Sequence, residues 1–491
     1  MLKYHQQFNN ESMLNFDRYH ANMANVSLTD WATLPSGKLL ANEIATFYVT
    51  QRKLKFAPCV GHERLKAYLH DSGLDVPHLN FLRDDKANLS ILANKLESTS
   101  IYDLVIRAVT PGTIMFAGEP IADITGPFWI TQMQEVKFEH AFDEPMTVAS
   151  RALKMRIAAG LRHLSGFSLR RDGSAQRSLE VNKYAYAGGF DDTSFMEAAY
   201  QLGINAVGTM AHYWIQAFQE YMDNHNPERD AQGRKKHPQQ VSFERWLDAN
   251  PKGTTLLVDT INLRLGMIHA IRAAKSSETR RKALKVVRID SGNLAKNTVW
   301  VRALLDANDM KDVEILVTSD LDDQKIRDIV QACMRVYGFG VGTKLISEVD
   351  CIAGVIFKMC QIGRYATMKL SDTQGKETLL GKTQVWRYRG MDGYYIKDVI
   401  AMDIEAPRPI DGTTMVPLLR PFFGTRYPDP YIPSIHQQRE LVLEQIPWLR
   451  DINNYLVELS PALNDSMNAM RERLLKDEMG EDGVIMVDYP N

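Results

Sequence analysis

Residues 285–294, KVVRIDSGNL, and 314–320, EILVTSD, decide the fold. In each, a short apolar run stops at small, hydroxylated or acidic residues: Asp290-Ser291-Gly292 after the first, Ser319-Asp320 after the second. Between the runs lies Leu294–Ala307, whose apolar residues recur at helical spacing. Working outward, the alternation continues from about 200 to 362. The runs are Ile204–Val207, Thr255–Val258, Lys285–Ile289, Glu314–Val317, Tyr337–Val341 and Gly354–Ile362, separated by helix-like stretches such as Leu263–Lys275 and Asp323–Val336. Alternating βα units predict a parallel sheet, doubly wound or closed into a barrel.

In such folds the site forms at the carboxyl ends of the strands, where the connecting loops converge. Five runs end in Gly208-Thr209, Asp259-Thr260, Asp290-Ser291-Gly292, Ser319-Asp320 and Gly342-Thr343-Lys344. Gly bares backbone N–H groups, Thr and Ser donate to phosphate, and Asp binds ribose hydroxyls or hydrated Mg²⁺. Any one of these ends reads equally as a turn or a helix cap; five together suit a sugar-phosphate ligand. His212 stands four residues past Gly208, and Arg170-Arg171, Arg288 and Arg52 are candidates to clamp an anion. Two nucleotide motifs are set aside. Gly338-Phe339-Gly340-Val341-Gly342 lacks the GxGxxG spacing, and Gly375–Thr383 has five residues between its glycines where a phosphate loop has four.

The chain has 491 residues, enough for two or three domains. Its 58 basic and 60 acidic residues give a net charge of −2, which argues against a general nucleic-acid binder. Four cysteines without CxxC spacing suggest reduced thiols, not a disulfide framework or a zinc site. The opening MLKYHQQFNN has no apolar secretion core, and no uncharged apolar run reaches 18 residues. A cytoplasmic location without membrane contact is expected. The division expected is an N-terminal α+β domain at 1–150 with strand-like Tyr102–Val109 and Thr113–Thr125, then a βα barrel at 151–362 entered by a helix near Met146–Leu164. A segment at 363–475 follows, ending in the helical stretch Ile435–Leu475, and 476–491 is an acidic tail.

Phe167–Arg171 (FSLRR), Tyr186–Ser194 (YAGGFDDTS), Gly208–His212 (GTMAH), Arg288–Leu294 (RIDSGNL), Thr318–Asp322 (TSDLD) and Gly340–Thr343 (GVGT) stand in an order that resembles the nicotinate phosphoribosyltransferase family. Asp17–Met23 (DRYHANM) and Phe47–Arg52 (FYVTQR) are similar to its N-terminal signatures, and Lys369–Ser371, Lys376, Lys382 and Ile435–Ser460 to its closing segments.

The resemblance implies an α/β fold: an irregular TIM-like βα barrel of the type II phosphoribosyltransferases, plus an α+β domain built from N-terminal and C-terminal segments. It implies synthesis of nicotinate mononucleotide and diphosphate from nicotinate and 5-phosphoribosyl 1-diphosphate, the first step of NAD salvage from nicotinate. ATP hydrolysis would be coupled through a phosphohistidine, with Mg²⁺, in a homodimer with shared active sites. The phosphorylated histidine falls on His212, and Asp290 is the other residue given a catalytic role. Phe167 falls on the stacking position, and Tyr19 of a partner subunit on the other ring face. Arg170, Ser194 and Arg288 fall on substrate-binding positions; Arg52, Gly292, Ser319, Asp320, Gly342 and Thr343 fall on phosphate-binding ones. Phe195, Asn293 and Tyr213 depart from the family pattern, the first two where ribose or base contacts are implied, the third beside the histidine. The alternatives are a nicotinamide phosphoribosyltransferase, which would carry Asp where Ser194 stands, and a non-catalytic barrel that binds a phosphorylated metabolite.

Overall fold

A computed structural model describes residues 14–70, 76–84, 89–99, 103–225, 228–230, 232–346, 352–371 and 376–476. Cys351 and the expected tail beyond 476 lie outside the described residues. The chain divides into Pro145–Ile352 with Ser434–Leu443, and Met1–Glu144 with Ala353–Pro433 and Glu444–Asn491. The boundaries expected at 150 and 362 therefore fall at 144 and 352, and a piece of the C-terminal segment belongs to the barrel unit. Its side chains show why: Arg439 donates to the Phe190 carbonyl at 2.9 Å and to Asp191 at 2.5 Å, and His436 bonds the Tyr186 hydroxyl at 2.9 Å.

The barrel unit holds a seven-stranded parallel sheet: β1 His163–Gly166, β2 Asp192–Thr193, β3 Asn205–Ala206, β4 Thr254–Leu257, β5 Leu284–Ile289, β6 Glu314–Val317 and β7 Gly338–Val341. The order is β3-β2-β1-β7-β6-β5-β4, so the first strand pairs with the last and the curled sheet is open between β3 and β4. The middle of the sheet is the most buried: Val287, Ile289, Ile315, Val317, Phe339 and Val341 of β5 to β7 are fully buried, whereas the edge strand β3 is exposed. Helices Leu263–Lys275, Leu294–Ala307 and Asp323–Ala332 follow β4, β5 and β6. Each starts on a side-chain cap one to three residues beyond the flagged strand-end residues. Asn262 accepts from the Leu265 N–H at 2.9 Å, Asn293 from Lys296 at 3.1 Å, and Asp322 from Lys325 at 2.8 Å.

The helix read over Met146–Leu164 runs from Glu135 to Ala159, and Leu164 belongs to β1. Only Leu164 of the four residues in β1 is strongly apolar, too short a signal against the helical run before it.

In the other unit a six-stranded sheet has the order Tyr365–Ala366, Val355–Ile362, Ile44–Gln51, Pro120–Pro127, Val105–Ala108, Arg420–Phe423. A four-stranded sheet joins Thr413–Pro417, Thr383–Gly390, Tyr395–Met402 and Leu456–Leu459. The run Gly354–Ile362, read as the last barrel strand, pairs here antiparallel with Ile44–Gln51. Its burial alternates over its first residues, the mark of a half-covered antiparallel strand. The stretch Ile435–Leu475 is likewise not one helix. Pro447 and Pro461 delimit an irregular segment and a strand between helices Ile435–Gln445 and Pro461–Lys476.

Candidate active site

Side chains two apart on a strand share a face, so Arg288 near the end of β5 and Asp290 just past it point the same way. They form an ion pair at 3.0 Å between Nη2 and Oδ2. Thr318, past the end of neighbouring β6, joins both: its hydroxyl accepts from Arg288 Nε at 2.9 Å and donates to Asp290 Oδ1 at 2.6 Å. Thr209, beyond β3, accepts from Arg288 Nη1 at 3.3 Å. The guanidinium also stands 6.0 Å over the Phe167 ring, in reach of a cation–π contact.

His212 opens the helix His212–Asn224, and its Nε2 lies 3.6 Å from Asp290 Oδ2. Its Nδ1 is 3.1 Å from the Thr260 hydroxyl, linking the loop after β3 to the end of β4 where no ladder joins these strands. Asp259, buried at the end of β4, accepts from the Asp290 N–H at 2.8 Å and the Ser291 hydroxyl at 2.6 Å. Its other oxygen is buried without a hydrogen-bond partner among the described residues. The arrangement is a cation held by hydroxyls and one carboxylate, beside an aromatic face and a half-exposed imidazole. It is suited to an aromatic anion and a phosphorylated sugar.

Gly340 permits the close packing behind this cluster. A Cβ there would stand 2.5 Å from the Phe167 ring and 2.7 Å from the Thr318 methyl group. Gly342 follows β7, and a Cβ on it would come 3.0 Å from the Phe167 carbonyl; Thr343 opens the short 3-10 turn after it. Ser319 and Asp320 are exposed and take positive φ of 89° and 43°, rare for residues with a side chain. Lys325 holds this turn by donating to the Asp320 carbonyl at 2.7 Å. Gly292 is also left-handed, with φ 78°. Ser194 donates its hydroxyl to the Gly166 carbonyl at 3.3 Å, tying the end of β2 to the residue before Phe167.

The barrel unit thus brings His212, Asp290, Arg288 and Phe167 into one cluster, with Gly342 and Ser194 against the backbone at Phe167. Arg170 is exposed on the loop after β1 and shares no hydrogen bond or ion pair with the cluster among the described residues. Tyr19 and Arg52 lie in the other unit. There the half-exposed Tyr19 donates to Glu135 at 2.9 Å; partial burial, then this carboxylate, raises its hydroxyl above the usual range. His20 bonds the same Glu135 oxygen at 2.9 Å. Against burial, these hydrogen bonds hold Glu135 below the usual carboxylate range. Arg52 donates to the Lys376 carbonyl at 3.5 Å. Of the departures, Asn293 is a helix cap, Tyr213 is exposed, and the Phe195 N–H donates to Thr193 at 3.0 Å. Sequence reasoning missed Thr318, Thr209, Thr260 and Asp259 as site residues. Three of them stood in the strand-end pairs already singled out, and Thr318 in the quoted TSDLD segment, where position was the only signal.

Residues 162–378 match the model of the nicotinate phosphoribosyltransferase (NAPRTase) family. The chain is similar to nicotinate phosphoribosyltransferase pncB2 of Mycobacterium tuberculosis, 31% identical over 283 residues, 57% of this chain and 56% of that protein. That match spans little more than half the length of the relative. Similarity to the nicotinate phosphoribosyltransferase of Bacillus subtilis is lower, 26% over 471 residues, but covers 93% of this chain and 90% of that one. The fold is that of the crystal structure of human nicotinic acid phosphoribosyltransferase, with a TM-score of 0.69 and 22% identity over 92% of this chain and 99% of that chain. The strand-end cluster lies inside the segment that matches the nicotinate phosphoribosyltransferase family model.

Proposed function

We propose that the protein makes nicotinate mononucleotide and diphosphate from nicotinate and 5-phosphoribosyl 1-diphosphate, coupled to ATP hydrolysis through a phosphate on His212. The observation that carries the reading is Arg288, fixed by Thr318, Thr209 and Asp290 beside the Phe167 ring. In the reaction the pyridine nitrogen forms a bond to ribose C1 while the C1–oxygen bond breaks, its electron pair leaving with diphosphate. Phe167 would stack on the ring and hold nitrogen in line, so that a bimolecular attack becomes a positioned one. Arg288 would hold the carboxylate of nicotinate or the adjacent sugar phosphate through charge-assisted bonds. The amides at Gly292, Gly342 and Thr343 and the turn at Ser319-Asp320 would take phosphate groups.

Among the described residues no three His, Cys, Asp or Glu side chains group as a metal site. Mg²⁺ needs less, since it commonly binds through one or two carboxylates together with substrate phosphates. The unpartnered buried oxygen of Asp259, next to Asp290, fits that need. Mg²⁺ held there would neutralise charge on the departing diphosphate. A phosphate on His212 would place roughly 1.5–2 negative charges close to Asp290 and Arg288, by analogy with other phosphorylated side chains, and so reorganise their contacts. Tyr19 and Arg52 are assigned to the partner's site in a homodimer, Tyr19 covering the pyridine ring and Arg52 holding diphosphate. Arg170 is assigned to substrate from the loop after β1.

The test is incubation with labelled nicotinate or nicotinamide, 5-phosphoribosyl 1-diphosphate and Mg²⁺, with and without ATP. Nicotinate mononucleotide, increased by ATP, is the expected product. Preferential use of nicotinamide would turn the assignment to the amide-using enzyme, and no product from either would leave a binding barrel.

A further inference from the structure

Thr318 is buried past the end of β6, and every part of its side chain is used. Its hydroxyl accepts from the Arg288 guanidinium and donates to the Asp290 carboxylate, so one oxygen links the cation to the anion on the adjacent strand. Its methyl group stands behind Gly340, which in turn faces the Phe167 ring. Arg288 therefore has its direction fixed at three nitrogens by Thr318, Thr209 and Asp290, and Asp290 presents its second oxygen towards His212. A polar side chain this buried is costly unless both of its hydrogen-bonding roles are filled, and here they are filled by the two charged groups of the site.

We infer that Thr318 is the positioning residue that fixes Arg288 and Asp290 for substrate binding. It rests on the reading of Arg288 as the group that holds the anionic substrate. Thr318→Val keeps the shape and removes the hydroxyl, leaving Arg288 Nε and Asp290 Oδ1 each one partner short. Thr318→Ser keeps the hydroxyl and removes the methyl group. The Val protein should show a KM for nicotinate raised on the order of tenfold, with kcat changed by less than about threefold, the signature of lost uniform binding. The Ser protein should recover most of that loss. Thr298→Val is the control, because Thr298 is as buried and, among the described residues, its hydroxyl bonds only the Leu294 carbonyl in its own helix. It should leave KM where it was.

A wild-type KM in Thr318→Val, or an equal rise in Thr298→Val, would overturn the inference. Crystal structures of the Val and Ser proteins read the positioning without any substrate. Arg288 and Asp290 should leave their pairing in the first and keep it in the second; an undisturbed pair in the Val protein would overturn the inference even if the wild-type protein made no nicotinate mononucleotide, a result that by itself would reject only the activity.

Discussion

Two arginine–aspartate pairs, one in each unit, are built from the same groups and end in opposite circumstances. Arg387 and Asp398, on adjacent antiparallel strands, are 4% and 0% exposed at their side chains and lie 2.6 Å apart. The guanidinium also donates to the Ile114 carbonyl at 2.8 Å, and Tyr455 donates to Asp398 at 3.0 Å. Arg288 and Asp290 are 16% and 24% exposed, and their other side-chain partners include the hydroxyls of Thr318 and Thr209 at strand ends and the His212 imidazole. Partners inside a sheet core cannot be exchanged for a ligand; hydroxyls at a strand end can. Burial, not the ion pair itself, separates the structural pair from the pair proposed to bind substrate.

That contrast is sharpest under truncation. Arg387→Ala should cost about 3–5 kcal/mol of stability, because it leaves Asp398 buried and unpaired. Chemical denaturation should show it as a lower midpoint at unchanged slope. Arg288→Lys should leave the denaturation midpoint nearly unmoved and lower kcat/KM for nicotinate by roughly tenfold to a hundredfold, because Lys cannot reproduce the fork that meets Thr318, Thr209 and Asp290 together. Reversed outcomes, with activity resting on Arg387 and stability on Arg288, would break the comparison.

Ser194→Asp should weaken nicotinate by about tenfold while sparing nicotinamide, since a carboxylate beside Phe167 would face the carboxylate of the substrate. Steady-state kinetics with the two bases checks it.

The smallest expected effect is a pH dependence in the antiparallel unit. Burial, then the neighbouring Glu135, pushes Glu139 up to about 7 from 4.5. A folded pKa above the unfolded one means that the protonated form is favoured by folding. The contribution is complete below about 4.5 and is lost as pH rises through about 7. Because Glu139 is partly exposed, solvent screening reduces it to about 1 kcal/mol or less. Glu139→Gln should flatten stability between those pH values, as read by denaturation at pH 5 and pH 8.

The barrel was legible where strands are long and followed by amphipathic helices. Leu263–Lys275 and Leu294–Ala307 are found with the expected ends, and β4 to β7 within a residue or two. The two-residue strands β2 and β3 owe their pairing to their neighbours, and such strands leave no periodicity to read. Val355–Ile362 was misplaced because apolar content alone does not say which sheet a strand joins. Arg288, Asp290, His212 and Phe167, which the fold brings into one cluster, were singled out by strand-end position and motif. Thr318 was not, because its role depends on the register that sets β6 beside β5. The caps were hidden for a related reason. Asp259, Asp290 and Asp320 read as equally good caps, and only the structure assigns that work to Asn262, Asn293 and Asp322.

The half-buried strand-end cluster is proposed to be a working site to which His212 couples ATP. Incubation with ATP labelled in its γ-phosphate tests it most directly. Phosphate on an imidazole survives alkali and is lost in acid, so wild-type protein should hold label of that stability on His212. His212→Asn should hold none and should lose ATP hydrolysis, while still making a little nicotinate mononucleotide, because the proposed attack at C1 relies on Phe167, the arginines and Mg²⁺. Label on another residue, or ATP stimulation that persists in His212→Asn, would contradict the account.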